Sequence, residues 1–350
     1  MSKKLILTGP RKIEFQDCKE RALKSDEVRL KTIMSGISHG TEMNLYRGTA
    51  PFFKKNFDSE YRIFIENETA LNKIYPTQIG YESVCEVMEV GKKVKSLKKG
   101  DICHVYLPHA ETHIIKERLI KEIVTILPSE IKPEEGTMIA LASVALIGIH
   151  DAGIKIGNEV AIFGLGTIGL ILVQLAKLEG ATKIIGIDPI EKRRVLAQKL
   201  GATAVINPLK TDVALEIKKN ISNRKGVDVA LESSGTYEGL HEAIRCVCMA
   251  GKVVTLGYYQ GGGNTLYLGE EWHHNRITML SSMGVWGCPH RNYPLWNLKR
   301  IRETILHLLK EKKLNLKALI THKIPFKEAR KAYELIDKHP ERVIKVVLVY

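Results

Sequence analysis

The run Val160-Ala161-Ile162-Phe163-Gly164-Leu165-Gly166-Thr167-Ile168-Gly169, which continues through an apolar stretch into Lys183-Ile184-Ile185-Gly186-Ile187-Asp188, admits few folds. A short β-branched run, a glycine turn, apolar residues at helical spacing (Leu172, Leu175, Ala176), a second apolar run and an acid together read as a βαβ unit. Gly164 suits the tight turn, Gly166 lets a pyrophosphate approach the backbone, and Gly169 lets the helix pack close to the strand. The helix start around Thr167 and Ile168 offers unpaired N–H groups and the positive end of a dipole to phosphates. Asp188, 19 residues after Gly169, stands where a carboxylate accepts hydrogen bonds from both ribose hydroxyls and repels a 2′-phosphate, so NAD(H) is expected over NADP(H). Arg193 is counted with the cofactor residues because it and its neighbours Lys192 and Arg194 could soften that preference.

Around this unit the 350 residues divide by pattern. Residues 1 to about 130 read as short strands joined by turns, a small β-rich, barrel-like domain. Between Gly48 and Gly80 the aromatics Phe52, Phe53, Phe57, Tyr61, Phe64 and Tyr75 suggest a docked loop. Residues 133–152 read as a helical connection, and after Asp188 strands and helices alternate to Ser282, which predicts a doubly wound parallel sheet. A helix over 296–310, strands over 319–322 and 343–349, and a helix between them complete the chain.

The net charge of +14 admits nucleic acid, a membrane surface or an acidic small molecule as partner. The lysines are dispersed and no nucleic-acid motif accompanies them, so a phosphate- or carboxylate-bearing small molecule is the better reading. No apolar run reaches the roughly 18 residues of a membrane helix, no signal peptide is evident, and the six cysteines form no CxxC pair; a cytoplasmic protein with reduced thiols is expected.

The order of these parts, with the late Leu319-Ile320-Thr321-His322-Lys323-Ile324-Pro325-Phe326, resembles the medium-chain dehydrogenase/reductase superfamily of zinc-type alcohol, polyol and threonine dehydrogenases. The resemblance implies an α/β fold: a GroES-like β-rich catalytic domain (1–143), a Rossmann NAD-binding domain with a doubly wound parallel sheet (144–288), and a C-terminal segment (289–350) returning to the catalytic domain. It also implies a homodimer or homotetramer, pairing through an edge strand near Ile277 to Ser282. The segments Ser38-His39-Gly40-Thr41-Glu42, Gly80-Tyr81-Glu82 and Ser281-Ser282-Met283-Gly284 look most like the zinc-lacking branch that includes bacteriochlorophyllide hydroxyethyl dehydrogenases.

Ser38 stands where zinc members place a cysteine, Tyr81 where they place a histidine, and Ile139-Ala140-Leu141-Ala142-Ser143 offers neither a cysteine nor an acid for the third ligand. Hydroxyls are poor substitutes for Cys, His or carboxylate ligands, so no zinc is expected. A side chain must then handle the proton that accompanies hydride transfer. The candidates are Tyr81, Glu82 and His39, with Ser38 and Thr41 as hydroxyl relays. Tyr81 leads as hydrogen-bond donor to the substrate oxygen. For His39 two roles stand open, pyrophosphate contact or proton relay; for Glu82, proton transfer or a bond to the backbone of the Ser35–Glu42 loop. His109, His113, His273, His274 and His322 read as surface or packing residues. The expected function is an NAD(H)-dependent oxidoreductase for a secondary alcohol or ketone that is polyol-, sugar- or cyclitol-like. Its rivals are a zinc-free reductase of activated C=C bonds and a non-catalytic nucleotide sensor.

Overall fold

Alternating apolar and polar residues in the first third of the chain give half-buried strands. The computed structural model describes residues 1–67, 74–284 and 288–350. In chain order the strands are β1 (Ser2–Gly9), β2 (Lys12–Cys18), β3 (Glu27–Ile37), β4 (Lys55–Asp58), β5 (Ile63–Glu66), β6 (Thr77–Gln78), β7 (Glu82–Val90), β8 (Ile102–Val105), β9 (Thr112–Lys116) and β10 (Val124–Ile126), then β11 (Glu159–Phe163), β12 (Lys183–Ile187), β13 (Ala204–Ile206), β14 (Val227–Glu232), β15 (Val247–Thr255) and β16 (Thr278–Ser281), and finally β17 (Ile320–Pro325) and β18 (Lys345–Val349). They fall into two units: Met1–Ile139 with Ile320–Tyr350, and Ala140–Leu319.

In the first unit one sheet runs β10-β8-β7-β3-β18-β17, with β9 also paired to β3, and a second runs β2-β1-β6. The C-terminal strand is therefore an integral part of a sheet begun near the N-terminus. Its register sets Val347 opposite Gly36, while on the other side of β3 Gly36 faces Glu82. The core beneath joins Leu5, Leu7, Ile37 and Met43 to Tyr333, Ile336, Val346 and Leu348. Two helices escaped the sequence reading, α1 (Thr41–Arg47) and α2 (Glu117–Ile123). At 7 residues each they are too short to display a helical period.

The segment expected to be a docked loop is only partly so. Phe53 is buried against Tyr75, with ring centroids 5.1 Å apart, but β4 and β5 form a separate hairpin on which Ile63, Phe64 and Ile65 stay exposed. The rings of Phe52, Phe57 and Phe64 pack on one another instead. Residues 68–73 of that segment lie outside the described residues.

In the second unit every residue of β11 is buried, as befits a parallel strand covered on both faces. The order β13-β12-β11-β14-β15-β16 is parallel throughout, with the crossover point between β11 and β14. Its helices include α3 (Thr167–Leu178), α4 (Glu191–Leu200), α5 (Tyr237–Cys246) and α6 (Leu298–Lys310). In α6, Ile301, Ile305 and Leu309 recur at helical spacing and are buried, and Asn297 caps the first turn by accepting the Arg300 N–H at 3.0 Å. Residues 289–319, expected to return with the C-terminal segment, group with this unit. The Asn315 N–H donates to Gln174 on α3 (2.7 Å), and His290 lies 3.1 Å from His150, so the return begins only at Ile320. Among the described residues no helix is long and apolar enough to cross a membrane.

Candidate active site

The antiparallel pairing of β3 with β7 brings the residue that follows β3, Ser38, beside the residue that precedes β7, Tyr81. The Tyr81 hydroxyl donates to Ser38 Oγ at 2.7 Å, and Thr41 hydrogen-bonds the same phenol. Burial raises the Tyr81 pKa above the usual phenol range, with the Glu82 charge adding to the shift and the two hydroxyl neighbours opposing it. The phenol thus holds its proton. Three predicted residues, Ser38, Thr41 and Tyr81, form one hydroxyl cluster, and Tyr81 is part exposed while Ser38 is buried. His39 follows Ser38 in the same loop, half-buried.

Glu82 does not bond the loop backbone. It is sealed from solvent and pairs with Lys345 Nζ at 2.6 Å, and Lys345 also donates to the Ile37 carbonyl at 2.9 Å. Its second oxygen, Oε1, has no hydrogen-bond partner among the described residues. Burial pushes the carboxyl up to about 7, against the pull of Lys345. Gly36 is what makes room for the pair, since a Cβ there would lie 2.7 Å from Glu82 Oε2 and 2.8 Å from Lys345 Cε.

The backbone bond, one of the two roles left open for Glu82, is made by Glu42, which accepts the Ser38 N–H at 2.7 Å. Its other oxygen contacts His109 Nε2 at 2.9 Å and accepts the Tyr333 hydroxyl at 2.6 Å. His109 continues through Nδ1 to Ser35 Oγ (2.7 Å), which reaches the Tyr350 hydroxyl (2.9 Å). Burial raises the Glu42 carboxyl, but the His109 charge and these hydrogen bonds outweigh it, leaving the group below the usual carboxylate range. Gly80, at φ +102°, lets His109 lie against the chain just before Tyr81, since a Cβ there would be 2.6 Å from the ring. His109 is thus a structural hub for both segments that carry the hydroxyl cluster. Its sequence neighbours give no sign of this, because its partner Glu42 lies 67 residues away.

In the second unit the glycines of the turn after β11 differ in what surrounds them. Gly164 sits at φ +81°, with the Ser234 backbone 2.6 Å from any added Cβ. A Cβ on Gly169 would fall 1.9 Å from the Gly164 carbonyl oxygen, so α3 could not pack here with any other residue. Around Gly166 a Cβ would meet nothing within 4 Å, which leaves open space beside the first turn of α3. Leu165, fully buried, directs its N–H to Asp188 Oδ2 (2.8 Å), and Asp188 Oδ1 accepts the Ile190 N–H (2.8 Å). Arg193 approaches Asp188 Oδ2 at 3.5 Å, and Arg194 donates to the Asp188 carbonyl at 2.7 Å. Each Asp188 oxygen keeps acceptor capacity for a ribose hydroxyl. The open cradle, the helix N-terminus and this acid suit a dinucleotide.

The residues at the metal positions do not suit zinc. The hydroxyls of Ser38 and Tyr81 bond one another, and a phenol that holds its proton is not an anionic ligand. Among the described residues no group of three or more His, Cys, Asp or Glu is arranged to hold a metal ion.

Residues 167–298 match the family model described as zinc-binding dehydrogenase. The chain is 32% identical to D-guloside 3-dehydrogenase of Escherichia coli (strain K12), over 99% of its own length and 100% of that protein. It is 31% identical to L-threonine 3-dehydrogenase of Pyrococcus abyssi, over 89% and 88%. Its structure resembles that of 2R,3R-butanediol dehydrogenase from Bacillus subtilis with a TM-score of 0.80, at 24% identity and full coverage of both chains.

Proposed function

The chain belongs to the medium-chain dehydrogenase/reductase superfamily, among its alcohol, polyol and threonine dehydrogenases, and on that premise we propose that it moves hydride between NAD(H) and a secondary alcohol or ketone without zinc. It is an oxidoreductase acting on alcohols. The observation that carries the zinc-free reading is the Tyr81–Ser38 hydrogen bond at the two family ligand positions. The Glu232 and Asp188 ends of the parallel sheet and the cradle at Gly166 support the dinucleotide. A substrate with several hydroxyls, sugar- or glycoside-like, is favoured by the D-guloside dehydrogenase that covers the whole chain. Pairing of copies along the edge strand β16 belongs to the same reading.

Bound NAD(H) would supply or accept the hydride. The single Tyr81 O–H, given to Ser38 Oγ in this structure, would turn to the oxygen of a bound carbonyl and donate its proton as negative charge develops there, with the Ser38 hydroxyl then donating to the phenol oxygen. Ser38 and Thr41 orient the phenol, and Glu42 fixes the Ser38 backbone. Asp188 would hold the adenosine ribose, and the first turn of α3 would take the pyrophosphate.

Protein purified without added metal should contain substoichiometric zinc, and a strong chelator should leave its activity on a panel of polyols, sugars and their ketones unchanged. Stoichiometric zinc, or activity lost to the chelator and restored by zinc, would overturn the reading. A saturated carbonyl as product would indicate C=C reduction, and NADH binding without turnover on the panel would indicate a sensor.

Asp188→Ser should weaken NADH roughly 10- to 100-fold, the loss expected for hydrogen bonds to a charged group, and leave NADPH binding no weaker. Fluorescence titration of both nucleotides checks this. Equal losses for the two would remove Asp188 from the ribose.

A further inference from the structure

Glu232 closes β14 at the carboxyl end of the sheet, in register with Phe163 of β11 on one side and Thr255 of β15 on the other. It is fully buried, yet among the described residues no cation pairs with it. Four donors converge on it instead. Oε1 accepts the Ser234 N–H (2.7 Å) and the Ser234 hydroxyl; Oε2 accepts the Gly235 N–H (3.3 Å) and the Tyr259 hydroxyl. A set made only of donors suits an ionised carboxylate, which accepts and never donates, and these bonds oppose the burial that raises the carboxyl above its usual range. Two glycines keep the space clear, since a Cβ on Gly257 would lie 2.8 Å from Oε2 and one on Gly239 3.1 Å from Oε1.

A buried charge without a counter-charge is costly, and here only hydrogen bonds offset that cost. The topology suggests what the charge is for. Asp188 ends β12 on one side of β11, and the pyrophosphate cradle follows β11 itself. The other half of a dinucleotide must then run over the ends of β14 and β15, where Glu232 lies. Ser233 ties the two sides together, since its hydroxyl donates to the Gly164 carbonyl at 2.8 Å. The nicotinamide ring carries a positive charge when oxidised and none when reduced.

We propose that Glu232 is an electrostatic positioning residue whose negative charge makes this chain bind the oxidised cofactor in preference to the reduced one. The inference rests on the dinucleotide reading above. A purely structural role would affect both cofactor forms alike, so the ratio of their affinities separates the two roles.

The test is direct binding of NAD⁺ and NADH to the full chain, by calorimetry and fluorescence, for the wild type, Glu232→Gln and Glu232→Asp. Glu232→Gln keeps the shape and removes the charge; it should weaken NAD⁺ about tenfold relative to NADH, a change equivalent to about 1.4 kcal/mol. Glu232→Asp, which keeps the charge, should hold the wild-type ratio. Should Glu232→Gln fail to fold, Tyr259→Lys places a cation where the phenol now donates and should shift the ratio in the same direction. A ratio unchanged in the charge-neutralising variant, or changed equally in the Asp variant, overturns the proposal. A wild-type chain that binds neither nucleotide would instead overturn the dinucleotide reading.

Discussion

Tyr81→Phe is expected to lower kcat by roughly 10²- to 10⁴-fold, the range for losing a positioned proton donor, with NADH affinity unchanged. The phenol and Thr41 are part exposed, while Ser38 is buried. Phe keeps the ring and its packing, so the stability loss should be confined to the hydrogen bonds with Ser38 and Thr41, about 1 kcal/mol each. Because burial and then Glu82 hold the phenol above its ordinary range, Tyr81 remains a donor through neutral and mildly alkaline pH. A limb near neutrality in the pH profile of carbonyl reduction would therefore belong to Glu82, whose carboxyl is pushed up to about 7, and should vanish in Glu82→Gln. Steady-state kinetics with NADH titrations on the same preparations check both statements. Wild-type turnover in Tyr81→Phe would remove the phenol from the reaction.

The nucleotide unit was legible because its constraints are local. Gly164, Gly166, Gly169 and Asp188 lie within 25 residues of one βαβ unit, where Gly164 takes a positive φ and Gly169 packs on the Gly164 carbonyl. The catalytic unit was legible only by position. The reading found Ser38 and Tyr81 by what the family places there, but Lys345 meets Glu82 across 263 residues and His109 meets Glu42 across 67. No periodicity links residues that a sheet register brings together. Of the two roles left open for Glu82, the backbone bond belongs to Glu42, and His109, grouped with surface or packing residues, is buried and joins Glu42 to Ser35. The glycines held the missing clue. Gly36 and Gly80 are not turn residues in the ordinary sense; each leaves room for one of these buried polar contacts. Glu232 escaped for a related reason, since an acid at the end of an apolar strand looks like a surface residue until the loops that donate to it are in place.

Lys345→Met should destabilise the first unit by about 3–5 kcal/mol at alkaline pH, because it leaves Glu82 charged and buried with no counter-ion. The sign of the pH dependence follows from the direction of the Glu82 shift. A carboxyl raised in the folded state binds more protons folded than unfolded, so its contribution to stability is fullest below its unfolded value of about 4.5 and falls as pH rises through about 7. Without Lys345 the carboxyl loses the one interaction that favours its charge, so it is raised further. The variant should therefore approach wild-type stability at pH 5.5 and fall well short of it at pH 8.5. Adding Glu82→Gln should recover most of the alkaline loss, since a buried pair replaced by neutral groups costs far less than a pair broken on one side. Urea unfolding of the three proteins at both pH values measures this. A loss in Lys345→Met equal at the two pH values, or undiminished in the double variant, would show that Lys345 supports the fold through its packing and its bond to the Ile37 carbonyl rather than through Glu82.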